Sequence, residues 1–221
     1  RTPVSNLSLS NLCEATPPGV NVRTRVHEYG GGEYTTWRDR VFFVDDADGR
    51  VYGGRIAGPV TPLVPKGSEY ADLVVSPDGA WVFAIEERPR EGMEPENRLI
   101  SISIGESSHA AGVEATAIPI VVAAGHDFYA SPIVAPSSDG VAWLAWDHPN
   151  MPWNGTVLER IAWGEEGPRG EYRRVAGSQA ESLFPPRFAA DGTLFVVSDR
   201  SGWWNLYRLG EGEPTPLNTD R

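Results

Sequence analysis

One short pattern recurs along the 221 residues: an Asp-Gly turn, a run of β-branched and aromatic residues, then an acid eight places after the turn aspartate. It occurs at Asp78-Gly79, Trp81 to Ile85 and Glu86, then at Asp139-Gly140, Ala142 to Trp146 and Asp147. A third copy runs through Asp191-Gly192, Leu194 to Val197 and Asp199, and a weaker one uses Asp39-Arg40, Val41 to Val44 and Asp45-Asp46. Apolar runs of four or five residues bounded by turn residues read as buried strands.

Each copy extends both ways. Downstream stands a second apolar run (Val51-Tyr52, Leu99 to Ile102, Val157 to Ile161, Leu206 to Leu209). A Pro-flanked exit strand follows at Thr61 to Val64, Ile118 to Val122, Tyr172 to Val175 and Pro214 to Leu217. Upstream, an acid leads an aromatic: Glu28-Tyr29, Glu69-Tyr70, Asp127-Phe128, and Glu181 ahead of Phe184. These opening acids lie 41, 58 and 54 residues apart. Four strands per unit at a period of roughly 40–50 residues is the sequence signature of a β-propeller blade. A β-sandwich would explain the turns but not the long period.

The expected fold is therefore all-β: a partial, open β-propeller of about four four-stranded blades plus a leading exit strand at Leu12 to Gly19. In this reading residues 1–27 are the end of a preceding blade and a linker, and blades cover 28–68, 69–126, 127–180 and 181–221. An open ring leaves strand edges that must be covered, which makes self-association through those edges an expectation.

Composition narrows the function. With 24 glycines and 19 prolines, long helices are excluded, since Pro costs about 3 kcal/mol and Gly about 1 in a helix interior. Lys and Arg number 19 against 30 Asp and Glu, a net charge of −11, the wrong balance for a nucleic-acid surface. No apolar run is long enough to span a membrane as a helix. The single cysteine, Cys13, cannot form an internal disulfide, which points to a reducing, cytoplasmic setting. Sequons at Asn6-Leu7-Ser8 and Asn154-Gly155-Thr156 are compatible with chance.

Three longer strings are distinctive: Val22 to Gly32 (VRTRVHEYGGG), Trp146 to Thr156 (WDHPNMPWNGT) and Ser198 to Tyr207 (SDRSGWWNLY). In this order they resemble the amino-terminal propeller of the prolyl oligopeptidase family of serine peptidases, closest to the acylaminoacyl-peptidase and dipeptidyl-peptidase branch. The likeness runs over about residues 12–218. It implies a propeller that gates peptide substrates and an α/β-hydrolase catalytic domain as partner, with the triad on that domain. No G-x-S-x-G nucleophile elbow occurs in the chain, so no catalytic residue is assigned and no hydrolysis is expected from the chain by itself.

If the opening strand of each unit is innermost, Glu28, Glu69, Asp127 and Glu181 form a partial acidic ring at one mouth of the channel. Such a ring steers cationic peptide amino termini, or each acid simply accepts hydrogen bonds from strand ends and from Arg23 and Arg25. His27-Glu28, His126-Asp127 and Asp147-His148 pair a histidine with an acid, without the spacing of a metal signature; no metal or cofactor is assigned. Gly30-Gly31-Gly32 lacks the context of a phosphate loop and reads as close backbone approach near the axis. Trp146, Trp203 and Trp204 read as packing between blades, whereas Trp153, in a Met-Pro-Trp-Asn-Gly loop, is a substrate-contact candidate. Two other functions stay open: a stand-alone interaction scaffold, and a propeller enzyme acting on polysaccharides.

Overall fold

The computed structural model describes residues 13–104, 118–210 and 212–218. These residues contain sixteen strands and no helix. They form four separate four-stranded antiparallel sheets, each in simple up-and-down order, fanned as an open propeller. Blade 1 holds β1 (Tyr34–Trp37), β2 (Arg40–Val44), β3 (Val51–Arg55) and β4 (Val60–Pro62). Blade 2 holds β5 (Glu69–Val75), β6 (Trp81–Arg90), β7 (Met93–Ser103) and β8 (Ile120–Ala124). Blade 3 holds β9 (Phe128–Val134), β10 (Gly140–Trp146), β11 (Thr156–Gly164) and β12 (Gly167–Ser178). Blade 4 holds β13 (Leu183–Phe188), β14 (Leu194–Ser198), β15 (Asn205–Leu209) and β16 (Thr215–Pro216).

The continuous apolar runs follow from burial on both sheet faces. Side chains alternate faces along a strand, so a sheet sandwiched between two neighbours needs apolar residues at every position. In β6, Trp81, Phe83 and Ile85 join a cluster with Val141, Trp143 and Ala145 of β10, filling the gap between blades 2 and 3. The intervening Val82 and Ala84 face the other way, into a cluster with Phe42 and Val44 of blade 1. β10 repeats the arrangement: Ala142 and Leu144 pack with Leu183, Leu194 and Val196 of blade 4. Edge-to-face contacts of Trp163 with Trp81 (5.4 Å) and with Phe83 (4.8 Å) complete the wedge between blades 2 and 3.

The turns differ in one respect from the expectation. Gly79 and Gly192 adopt left-handed φ values of +75° and +83°, and their N–H groups donate back to Ser76 and Ala189 carbonyls. In blade 3 the left-handed residue is Ser138, not Gly140, which already opens β10. The loop is five residues long, as in blades 2 and 4, but Asp139-Gly140 sits two places later in it, so Ser138 takes the left-handed position, and Ser137 Oγ donates to Asp139 at 2.6 Å.

Two opening strands carry bulges at matching places. Asp72 in β5 and Ser131 in β9 have φ of +54° and +53°, and the pairing register slips around each. Asp72 uses the bulge to reach both neighbours: its carboxylate accepts the Gly32 N–H at 2.7 Å and the Ser131 N–H at 2.8 Å. Three blades are thereby stapled at their inner strands. A Cβ at Gly31 would stand 2.9 Å from Asp72 Oδ1, so the Gly30–Gly32 run does serve close backbone approach.

Candidate functional site

The opening acids do not share a register. β5 begins at Glu69, β9 one residue after Asp127 and β13 two after Glu181, whereas Glu28 precedes β1 by six residues. The expectation that Glu28-Tyr29 opens a strand is therefore corrected: His27 and Glu28 lie in a turn with φ of +55° and +65°. The Glu28 N–H donates to Arg25 and the Gly30 N–H to Val26, so the chain is committed to a tight turn before the strand can start.

That turn forms one wall of a cleft of about 370 Å³. Glu28 and Asp127 both line it, joined by Glu87 at the outer part of β6, Glu94 at the start of β7, and His148 after β10. Its apolar surface is Tyr29, Phe128, Trp146, Pro95 and Met151. Phe128 stacks on Trp146 (centroids 5.4 Å apart, 14° between planes), and His27 meets Phe128 edge-on at 5.2 Å. Among the described residues, no lysine or arginine lines the cleft.

Each acid has a distinct setting. Asp127 accepts both the His148 N–H (2.9 Å) and His148 Nδ1 (3.1 Å), which holds its carboxyl below the usual range. Glu87 accepts the His27 N–H at 2.8 Å, and burial raises its carboxyl despite that bond. Burial likewise raises Glu69, with Glu87, Asp46 and Asp48 adding repulsion against the pull of Arg25. Glu181 stands apart: it is 9% exposed, accepts Ser198 Oγ at 2.6 Å and lies 3.7 Å from Arg200, as a strand-end acceptor. Among the four acids named from sequence, the structure brings Glu28 and Asp127 into one cleft and leaves Glu69 and Glu181 out of it.

The aromatic candidates divide as well. Trp146 is buried but stacks on Phe128 of its own blade and lines the cleft, outside the clusters between blades, and Trp203 and Trp204 are 71% and 51% exposed on the loop joining β14 and β15, so the expected packing of all three between blades is corrected. The wedges are filled instead by Trp81, Trp143 and Trp163, whose strand positions point between sheets. Trp153 is 64% exposed in a turn and does not line the cleft; its neighbour Met151 does.

Beside the cleft lies a second polar cluster. His126 Nδ1 is 2.8 Å from Asp147 and Nε2 is 3.4 Å from Glu159, whose other oxygen accepts the Trp143 indole N–H at 3.0 Å. Hydrogen bonding to Glu159 and the charges of both acids raise this imidazole to about 9. Asp147 also accepts the Asp127 N–H at 2.8 Å, tying the end of β10 to the start of β9. Asp199 repeats this in blade 4 by accepting the Ser182 N–H at 2.8 Å. No group of three His, Cys, Asp or Glu side chains is arranged to hold a metal among the described residues. His109 lies outside those residues.

The solved structures carry the comparison further. A puromycin-hydrolyzing peptidase from Mycobacterium tuberculosis superposes with a TM-score of 0.80 and 31% identity, covering 97% of this chain and 35% of the peptidase. A mutant puromycin hydrolase complexed with PGG gives 0.80 and 31%, over 93% of this chain and 33% of the hydrolase. The likeness is to the propeller portion of prolyl oligopeptidase-family peptidases. The chain spans about a third of the length of these relatives. The acylaminoacyl peptidase of Pyrococcus horikoshii, at 10% identity and TM-score 0.50 over 85% of this chain and 32% of that one, shares the fold alone. No family model and no curated protein matches the chain.

Several cleft residues carried no sequence signal. Glu87, Glu94 and Asn97 belong to a hairpin of β6 and β7 that extends well beyond the repeated apolar core of the blade. The acid-aromatic pairs marked the opening strands, and only the hairpin's length, invisible to a four-residue apolar count, brings these three to the same mouth.

Proposed function

We propose that this chain is the propeller part of a prolyl-oligopeptidase-like serine peptidase, gating peptide access to an α/β-hydrolase domain. The observation that carries the reading is the match to a puromycin-hydrolyzing peptidase at 31% identity over 97% of the chain. The bond-breaking groups belong to the hydrolase domain in this reading, and the propeller contributes shape and field. Glu28, Glu87, Glu94 and Asp127 line one cleft that no lysine or arginine lines among the described residues, so their combined field concentrates cationic peptide amino termini there. The aromatic lining then favours short, extended peptide ends over folded chains.

The test is hydrolysis of aminoacyl and acyl-aminoacyl chromogenic amides by the chain alone and by the chain joined to the hydrolase domain. Turnover is expected only when the two are joined. Cleavage by the isolated chain through a hydroxyl of its own overturns the assignment.

A scaffold reading draws support from the last blade. Phe184, Val197 and Leu206 are paired across β13, β14 and β15 and so share one face, where Phe184 and Leu206 are 64% and 44% exposed. An exposed apolar row of this kind marks an interface, and self-association of the purified chain is the outcome that favours it.

A further inference from the structure

We propose that the outer part of blade 3 carries a binding site for a phosphate-type oxyanion, formed by the guanidiniums of Arg160, Arg169 and Arg173. The site stands apart from the gating function, and none of its residues lines the cleft. Strands run up and down within each blade, so β10 begins and β11 ends at the mouth opposite Phe128, which opens β9 beside the cleft.

The first observation is the register of the β11–β12 ladder. The pairing slips between Ala162 and Arg160, which brings Arg169 opposite Ala162 and Arg173 directly opposite Arg160. On β10, Arg160 pairs with Ala142 and Ala162 with Gly140. Residues directly opposite one another share a sheet face, and Ala142 packs in a cluster with Leu194 and Val196 of blade 4. All three arginines therefore lie on the blade 4 side of blade 3. Like charges placed directly opposite across a ladder repel, yet Arg160 meets Arg173 there without a counter-ion. Among the described residues none of the three forms an ion pair or a hydrogen bond. The nearby acids are engaged elsewhere. Glu159 accepts the Trp143 indole N–H on the other face, and Glu171 lines a hollow there with Ile161 and Tyr172. In a chain of net charge −11, an uncompensated cluster of cations is the exception.

The second observation is the floor beneath the guanidiniums. A Cβ at Gly164 would run into the Arg169 guanidinium, and one at Gly140 would stand 3.1 Å from Arg160 Nη2. Gly140, Ala162 and Gly164 share this face, so both side chains lie along the sheet on a shelf of small residues. The Arg160 guanidinium also sits 5.5 Å from the Phe188 ring of blade 4, which holds one prong against the neighbouring blade. Ala162, Arg169 and Arg173 are exposed and Arg160 is half-buried, so the shelf is open to a small ligand. A cation is excluded by that field. Guanidiniums offer forks of N–H donors and no acceptor, the complement of an anion with several oxygens. Three cations on one face favour a multiply charged tetrahedral oxyanion over a single carboxylate. Once bound, the anion offsets the Arg160–Arg173 repulsion and ties the outer strands of blade 3 to blade 4.

Such oxygens come from inorganic phosphate or from a small phosphomonoester. The test is calorimetric titration of the 221-residue chain at neutral pH with sodium phosphate, with glycerol phosphate and, at matched ionic strength, with sodium chloride. Thermal melts in the same three salts give a second readout. Saturable binding of a phosphate compound is expected, with a melting temperature above that in chloride, and whichever compound binds more tightly names the source. Arg169→Gln and Arg173→Gln, at exposed positions that hold no partner in the fold, are each expected to weaken that binding about tenfold or more. Arg174 lies across from Glu159 on the opposite face of β12, and Arg174→Gln is expected to leave the affinity within about twofold. No saturable binding beyond the chloride control overturns the proposal, as does a loss in Arg174→Gln as large as that in Arg173→Gln.

Discussion

The His126 cluster makes stability depend on pH in a calculable way. Its imidazole is held between Asp147 at 2.8 Å and Glu159 at 3.4 Å and titrates at about 9, against 6.5 for an unperturbed histidine. At 1.36 kcal/mol per pH unit the difference is worth about 3.4 kcal/mol. Solvent reaches 24% of the imidazole and 45% of Asp147, and screening reduces the figure to roughly 1.5–2 kcal/mol. The folded-state value is raised, so the stabilisation is complete below pH 6.5 and is lost as pH rises through 9. Urea unfolding of the wild type and of His126→Gln at pH 6 and at pH 10 measures it. The wild type is expected to lead by roughly 1.5–2 kcal/mol more at pH 6 than at pH 10. A lead that is constant with pH, or that grows toward pH 10, refutes the reasoning.

Three further outcomes follow from the same geometry. Asp72→Ala removes the acceptor for both the Gly32 and Ser131 N–H groups and is expected to cost about 2 kcal/mol in urea unfolding. Gly79→Ala is expected to cost more than Gly192→Ala by at least about 1 kcal/mol: both have positive φ, but a Cβ at Gly79 lies 2.3 Å from the Trp37 ring, whereas at Gly192 nothing lies within 4 Å. Glu69→Gln is expected to raise stability at pH 7 by a few tenths of a kcal/mol, since burial and neighbouring carboxylates disfavour the ionised form. That gain is expected to vanish in acid, where glutamic acid is neutral in both folded and unfolded chains, and thermal melts at neutral pH and well below the ordinary glutamate range measure it.

Blade architecture was legible because it is written in residue types that repeat. Trp81 to Ile85, Ala142 to Trp146 and Leu194 to Val197 all lie in second strands, and the four Pro-flanked exit segments overlap fourth strands, whereas Leu12 to Gly19, expected as a leading exit strand, forms no strand over its described residues 13–19. The first blade was harder to read. Glu28-Tyr29 imitates the acid-aromatic pairs at β5 and β9, yet two consecutive left-handed residues bend it out of the strand, and side-chain identity does not disclose that. The cleft was half legible. Glu28 and Asp127 were marked by the pattern, whereas Glu87 and Asn97 enter through a hairpin whose extra length is polar and non-repeating. Glu181 carried the same mark as Asp127 but meets Ser198 and Arg200, so local partners decided its role. Trp203 and Trp204 show the converse: aromatic content predicted packing, but their place on a loop leaves them exposed.

The proposed function requires the propeller to gate by charge as well as by shape. Its most direct test is the ionic-strength dependence of kcat/KM for free-amine and N-acylated peptides, measured on the chain joined to a prolyl-oligopeptidase-type hydrolase domain, with and without Glu28→Gln, Glu87→Gln and Asp127→Asn together. The account predicts that kcat/KM for free-amine peptides falls as salt rises, that acylated peptides show no such fall, and that the triple variant flattens the difference. Equal salt slopes for both peptide classes, or slopes untouched by the triple variant, would contradict it.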